Sequence, residues 1–195
     1  TALKEDNKSL DRLIRKNNWT EIFGAYDYVG RDVSGKTIGI LGMGRIGRAV
    51  AQRARGFGME IHYHNRNKLS SDLELGAIYH KDAKSLFAES EFLSINCPAT
   101  PETKNIINKK TLSFLEENTV VGNAARGDVV DDDAMVEALK NGTVFAYGLD
   151  VYNGEPKIHP DYLKLKNIFC FFCSGKFLRK ISWSSLITGG FSQKI

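Results

Sequence analysis

Hydrophobic positions change their period along this chain, and the changes delimit its elements. In the opening stretch, TALKEDNKSLDRLIRKNNW, Leu3, Leu10, Leu13 and Ile14 recur at helical spacing with charge between them, which predicts a helix packing one face. A polar connector ends at Ser34-Gly35. KTIGIL then follows as a short β-branched apolar run, suited to a strand covered on both faces. RIGRAVAQRARGFG carries Ile46, Val50, Ala51, Ala54 and Phe57 at helical spacing and closes on Gly58. Strand and helix patterns alternate thereafter: MEIHY and the weaker AIY as strands, KDAKSLFAES as a helix, EFLSINC as a strand, KKTLSFLEE as a helix, TVVGNAA as a strand. DDDAMVEALKNG opens with acids at the positive end of its helix dipole and closes on Gly142. TVFAYGLDV is a further strand, and another begins at NIF. Repeated strand–helix–strand units of this spacing predict an α/β fold with a doubly wound parallel sheet and right-handed crossovers.

Composition changes this picture little. The chain has 195 residues, 42% hydrophobic and 26% charged, enough to bury a core without disulfides. No run is apolar for long enough to span a membrane, and no signal peptide opens the chain, so a cytoplasmic protein is expected. The net charge of +4 raises nucleic acid as a partner, but its location argues against one. Between Cys170 and Ile195 there are four bases (Lys176, Arg179, Lys180, Lys194) and no acid, and without them bases and acids are equal in number. The three cysteines fit a reducing compartment. Cys170 and Cys173 form a lone C-x-x-C without the second pair a zinc site needs, and the histidines are scattered, so no metal is expected.

The candidate chemistry starts after KTIGIL. ILGMGRIGRAV contains G-x-G-x-x-G as Gly42, Gly44 and Gly47, placed between a buried strand and an amphipathic helix. That setting is what a dinucleotide requires. Gly42 permits the tight turn, Gly44 lets backbone N–H groups close on a pyrophosphate, and Gly47 lets helix and strand touch. The next strand should end in an acid if the ribose bears a free 2′-hydroxyl. Here it ends in IHYHNRNK, with His64, Asn65, Arg66 and Lys68 where the acid would stand. A guanidinium pairs with a 2′-phosphate that a carboxylate would repel, so NADP(H) is the preferred cofactor and NAD the alternative, with Arg66 the main contact.

With GKTIGILGMGRIG, YHNR, NCPATPETKNIIN, NAARGDVVDDDAMVEAL and GLDVYNGEP in this order, the chain resembles the D-2-hydroxyacid dehydrogenase family, in particular its glyoxylate/hydroxypyruvate reductase branch. The resemblance covers roughly Leu10 to Phe169 and implies a Rossmann-type cofactor domain. It implies Arg45 and Ile46 at the pyrophosphate, Asn65 and Arg66 at the adenosine ribose, Cys97 and Pro98 at the adenine, and Thr103 near the phosphates. The backbone of Ala124, Ala125 and Arg126 and the carboxylate of Asp150 would hold the nicotinamide end. The family often has Thr where Ala124 stands.

By the same resemblance, Arg126 would clamp a small 2-oxo acid and stabilise the charge that builds on its carbonyl oxygen during reduction to the D-2-hydroxy acid. Glu155 would pair with a histidine and raise its pKa for proton donation. That histidine belongs to a Pro-His-x-Gly-Ser stretch after the final strand, and its place here holds Cys173, preceded by Phe172. His159 comes too early and reads as a turn residue. The match stops after Phe169, where the unbalanced basic charge begins, so the tail reads as out of frame and the chain as inactive. The expected organisation is an interdomain helix and connector over 1–34, a dinucleotide domain over 35–169 and an atypical tail over 170–195. Most of the substrate domain is expected before Thr1. The first helix resembles the arm of family dimers, which implies a homodimeric parent. Two other readings stay open: a dinucleotide-sensing module of the co-repressor type, which the missing histidine favours, and a phosphoglycerate dehydrogenase-like enzyme, against which YHNR counts.

Overall fold

The computed structural model describes residues 32–171. The helix expected at the N-terminus, the dimer arm, Cys173 and the tail beyond Phe171 lie outside the described residues.

Among the described residues, seven strands form one parallel sheet in the order β3-β2-β1-β4-β5-β6-β7. They are β1 (Thr37–Leu41), β2 (Glu60–His64), β3 (Ile78–His80), β4 (Phe92–Ile95), β5 (Thr119–Asn123), β6 (Val144–Leu149) and β7 (Ile168–Cys170). The helices between them are α1 (Arg45–Gly56), α2 (Ser71–Glu74), α3 (Ala83–Ala88), α4 (Lys109–Leu112) and α5 (Asp132–Asn141). Because β1 pairs with both β2 and β4, the chain reverses its direction of travel across the sheet there. Ligand crevices of doubly wound folds lie beyond the carboxyl ends of the strands at that reversal.

Alternate side chains of β1 enter different cores. Ile38 and Ile40 join Ala51 and Ala54 of α1 and Ile61 and Tyr63 of β2. Leu41 joins a larger cluster with Phe87, Leu93, Ile95, Met135 and Tyr147. The period-two pattern of a strand covered on both faces has this cause.

The elements differ from their expected faces and bounds in three instructive places. Ile46 and Phe57, counted on the apolar face of α1, are 60% and 42% exposed, and the buried seam is instead Gly47, Ala51 and Ala54. Small residues bury there because the helix lies close to β1: a Cβ at Gly47 would meet the Gly42 carbonyl oxygen and the Ile40 side chain. The helix expected over KKTLSFLEE covers only Lys109–Leu112. Glu116 and Glu117 would have placed two acids at the negative end of a longer helix dipole, and Asn118 turns the chain at φ +68°. Strand β7 continues to Cys170, one residue past the expected boundary, and the Phe171 N–H donates to Leu149 O at 2.9 Å.

Candidate functional site

Each glycine of the loop between β1 and α1 has a distinct environment. Gly42 adopts φ +94°, and a Cβ on it would lie 2.6 Å from the backbone nitrogen of Cys97, so this turn is pressed against the chain leaving β4. Gly47 is the helix–strand contact already described. Gly44 has nothing within 4 Å of where a Cβ would be. The loop is therefore rigid at its two flanks and open at its crest.

Hydrogen bonding sorts the loop amides in the same way. Gly42 N–H donates to His64 O at 3.0 Å and Met43 N–H to Asn65 Oδ1 at 2.6 Å, so the end of β2 takes the first two amides. The first turn of α1 has no side-chain cap and no acid, and its first residue is Arg45. Helix α5 is built the opposite way. Asp131 caps it by accepting the Ala134 N–H at 3.2 Å, and Asp132 and Asp133 stand in its first turn. One long helix neutralises the positive end of its dipole with its own carboxylates. The other leaves that end for an anion.

The rim of the mouth comes from the ends of β2 and β4. Asn65, expected at the adenosine ribose, has its carboxamide oxygen on the glycine loop, so it acts first as a brace for that loop. Arg66 and Lys68 are exposed beside it. Beyond β4, Cys97 is buried, with its thiol pKa raised by that burial, and Pro98 is exposed. Thr103, expected near phosphates, uses its hydroxyl to tie its own loop: Oγ1 donates to Pro98 O at 2.6 Å and accepts the Thr100 N–H at 2.8 Å. Glu102 in that loop is close enough to Arg66 for the guanidinium charge to contribute to lowering its carboxyl pKa, after hydrogen bonds from Thr100 and its own backbone.

Beyond β5 and β6 lie the residues expected at the reacting end. Ala124 is exposed and Ala125 buried. Arg126 is exposed, with its Nη1 donating to Ala125 O at 2.7 Å. Gly127 seats this turn against a neighbouring segment, because a Cβ on it would collide with the backbone of Tyr152 and Asn153. In that segment the Tyr152 N–H donates to Glu155 Oε1 at 2.9 Å. Asp150 presents a buried Oδ1 with no hydrogen-bond partner among the described residues. Burial, together with the nearby Glu155 carboxylate, raises the Asp150 pKa above its ordinary value. A buried oxygen left unsatisfied is costly and wants a donor. The bare helix end, the open crest at Gly44 and this orphaned oxygen together fit a dinucleotide laid across the strand ends.

Two groups of polar residues lie elsewhere. Three of the histidines that look scattered in sequence meet on adjacent strands: His62 Nδ1 is 2.8 Å from His80 Nε2, and His64 Nδ1 is 2.8 Å from His80 O. They form no metal cluster among the described residues. A cavity of about 470 Å³ beside α5, lined by Asp133, Glu137, Lys140 and Asp161 among others, shares no residue with the mouth. His159 sits near it, 3.2 Å from Asp133 Oδ1.

A parallel sheet of this order with a bare glycine loop at its reversal point defines the chain as a Rossmann-type dinucleotide-binding protein. Residues 2–171 match the family described as D-isomer specific 2-hydroxyacid dehydrogenase, NAD binding domain, and the chain belongs to that family of oxidoreductases. It is 40% identical over 163 residues to a glycerate dehydrogenase of Hyphomicrobium methylovorum, an alignment covering 83% of this chain and 50% of the relative. A glyoxylate reductase structure from Paecilomyes thermophila superposes with a TM-score of 0.73 at 43% identity, covering 83% of this chain and 48% of that one. An NADPH-dependent glyoxylate/hydroxypyruvate reductase of Sinorhizobium meliloti, solved with NADP and malonate, does so at 0.74 and 33% identity, covering 84% and 50%. The chain thus spans about half the length of the curated relatives it matches.

Proposed function

We propose that residues 35–169 are the coenzyme domain of a reductase that converts glyoxylate, hydroxypyruvate or a similar short 2-oxo acid to its D-2-hydroxy acid, with NADPH preferred over NADH. The observation carrying this reading is the end of β2. No carboxylate stands there, and exposed Arg66 follows directly on the residue that braces the glycine loop. A guanidinium at that place favours a 2′-phosphate. The reductases named above, one of them solved with NADP, support the same direction.

When bound, the coenzyme supplies the hydride. Gly44, Arg45, Ile46 and Gly47 would present amides to its pyrophosphate, with Thr103 near the phosphates; Asn65 and Arg66 would flank its adenosine ribose, and Cys97 and Pro98 would shape the adenine side. The backbone of Ala124, Ala125 and Arg126 and the carboxylate of Asp150 would hold the nicotinamide end, where the unpartnered Asp150 oxygen could accept a hydrogen bond. Arg126 pairs with the carboxylate of the 2-oxo acid and stabilises negative charge on its carbonyl oxygen. Glu155, held by the Tyr152 N–H, would pair with a proton donor and raise its pKa. Because that place holds Cys173 in this chain, we expect binding of coenzyme and acid without appreciable turnover; loss of a general acid costs about 10²–10⁴ in rate. A homodimeric parent fits the first-helix pattern.

Titration with NADPH and with NADH, followed by nicotinamide fluorescence, tests the reading. A charge-assisted pair contributes about 1.5–3 kcal/mol, so NADPH should bind about tenfold or more tighter, and Arg66→Ala should erase the difference. Equal affinities, or tighter NADH binding, would overturn the assignment.

A further inference from the structure

The turn that carries Arg126 is held by a side chain so far without a role. Asn123 is the last residue of β5 and is 2% exposed. Its Oδ1 accepts the Ala125 N–H at 3.0 Å, and its Nδ2 donates to the Arg126 carbonyl oxygen at 3.0 Å. A third contact, from Nδ2 to Tyr147 Oη at 3.4 Å, joins the carboxamide to buried Tyr147 of β6. The backbone of Asn123 reaches the other element of the site, since its carbonyl accepts the Asp150 N–H at 3.4 Å.

We propose that Asn123 is the positioning residue for Arg126: its buried carboxamide clasps the turn beyond β5 and thereby fixes the carbonyl on which the guanidinium rests. The geometry is specific. Two peptide groups are gripped, the one ending in the Ala125 N–H and the one beginning with the Arg126 C=O. The peptide between them carries Ala125 O, which receives Arg126 Nη1 at 2.7 Å. Anchoring a peptide on both sides fixes its plane, so the guanidinium leaves the turn from a set direction. Gly127 completes the seating from outside by lying against the Tyr152–Asn153 backbone. A carboxamide offers an acceptor and a donor from one planar group; leucine offers neither, and an ionised aspartate only accepts. Leaving the two backbone groups unpaired in a buried place would loosen the turn rather than merely cost stability.

This inference rests on the reading of Arg126 as the substrate clamp, and the experiment separates the two. The 195-residue chain, unmodified and as Asn123→Leu, is saturated with NADPH and titrated with oxamate, a 2-oxo acid analogue, while the Arg126 guanidinium and backbone amides are followed by NMR. The unmodified chain should show a protected Ala125 amide and an oxamate-dependent shift at Arg126. In Asn123→Leu that protection should be lost and oxamate affinity should fall about tenfold or more. Affinity for 2′,5′-ADP, which lacks the nicotinamide end that this turn would meet, should stay within about twofold of the original, a split that general destabilisation would not produce. Unchanged oxamate affinity in Asn123→Leu, or parallel loss of oxamate and 2′,5′-ADP, overturns the proposal. If Asn123→Leu does not fold, the unmodified chain still decides, because an Ala125 amide exchanging at an unprotected rate also overturns it. An unmodified chain that binds NADPH but gives no oxamate shift at Arg126 defeats the clamp reading. The clasp then stands if Ala125 protection and a single Arg126 guanidinium environment are both lost in Asn123→Leu, and falls if either persists.

Discussion

Gly42→Ala and Gly44→Ala add the same methyl group two residues apart in one loop, and the structure assigns them opposite consequences. At position 42 the backbone has φ +94°, in the left-handed region, where a side chain costs about 1–2 kcal/mol. The new Cβ would also lie 2.6 Å from Cys97 N and 2.7 Å from its Cα, against main chain that has little room to yield. Overpacking of that kind costs about 1–3 kcal/mol. Together these come to about 2–5 kcal/mol, a large share of the ~5–15 kcal/mol that holds a domain folded. At about 2–4 °C per kcal/mol for a chain of this size, Tm should fall by about 4–20 °C. At position 44 φ is −76° and the added methyl meets nothing within 4 Å. Because Gly44 is the N-cap of α1, where alanine is less favoured than glycine, its effect on stability should stay within about 1 kcal/mol. That methyl instead occupies the space over the amides of α1, so the Kd for NADPH should rise about tenfold or more, a loss of about 1.4 kcal/mol or more. Thermal unfolding without coenzyme and fluorescence titration with NADPH measure the two effects separately. A Gly44→Ala protein that binds NADPH like the original, or two variants with equal Tm, would refute the reasoning.

Other consequences concern the titratable groups. Asp150 has a raised pKa, so the folded protein holds its proton to higher pH than the unfolded chain does, and at neutral pH the ionised, buried carboxylate costs stability. Asp150→Asn should therefore raise Tm at neutral pH, with the gain shrinking as pH falls through the raised pKa toward 3.8, and should weaken coenzyme binding; a destabilised variant at neutral pH would contradict the assignment. His80 is shifted the other way, by burial first and then by His62, against smaller opposing influences from Glu89 and Asp82. Below 6.5 the unfolded chain takes up a proton that folded His80 resists, so stability should decline as pH drops through the folded pKa, and His80→Gln should flatten that part of the profile in urea unfolding.

Local pattern alone determined the alternation of strands and helices, the three glycines and the acids that open α5. Each is a statement about neighbours within a few residues, where backbone sterics and helix dipoles act. The absence of a carboxylate after β2 was equally legible, because it depends only on which residue ends a strand. Tertiary structure decided the rest. Ile46 and Phe57 read as core by period, but the close approach of α1 to β1 leaves room only for Gly47, Ala51 and Ala54. Three histidines that look unrelated along the chain meet because β2 and β3 pair in register, His64 opposite His80. Asn65 follows one strand and Asn123 ends another, and nothing in their local pattern shows that one braces the glycine loop and the other grips the turn of Arg126. The partner of a buried carboxamide is set by which backbone groups the fold leaves unpaired, and that is settled only when distant segments come together.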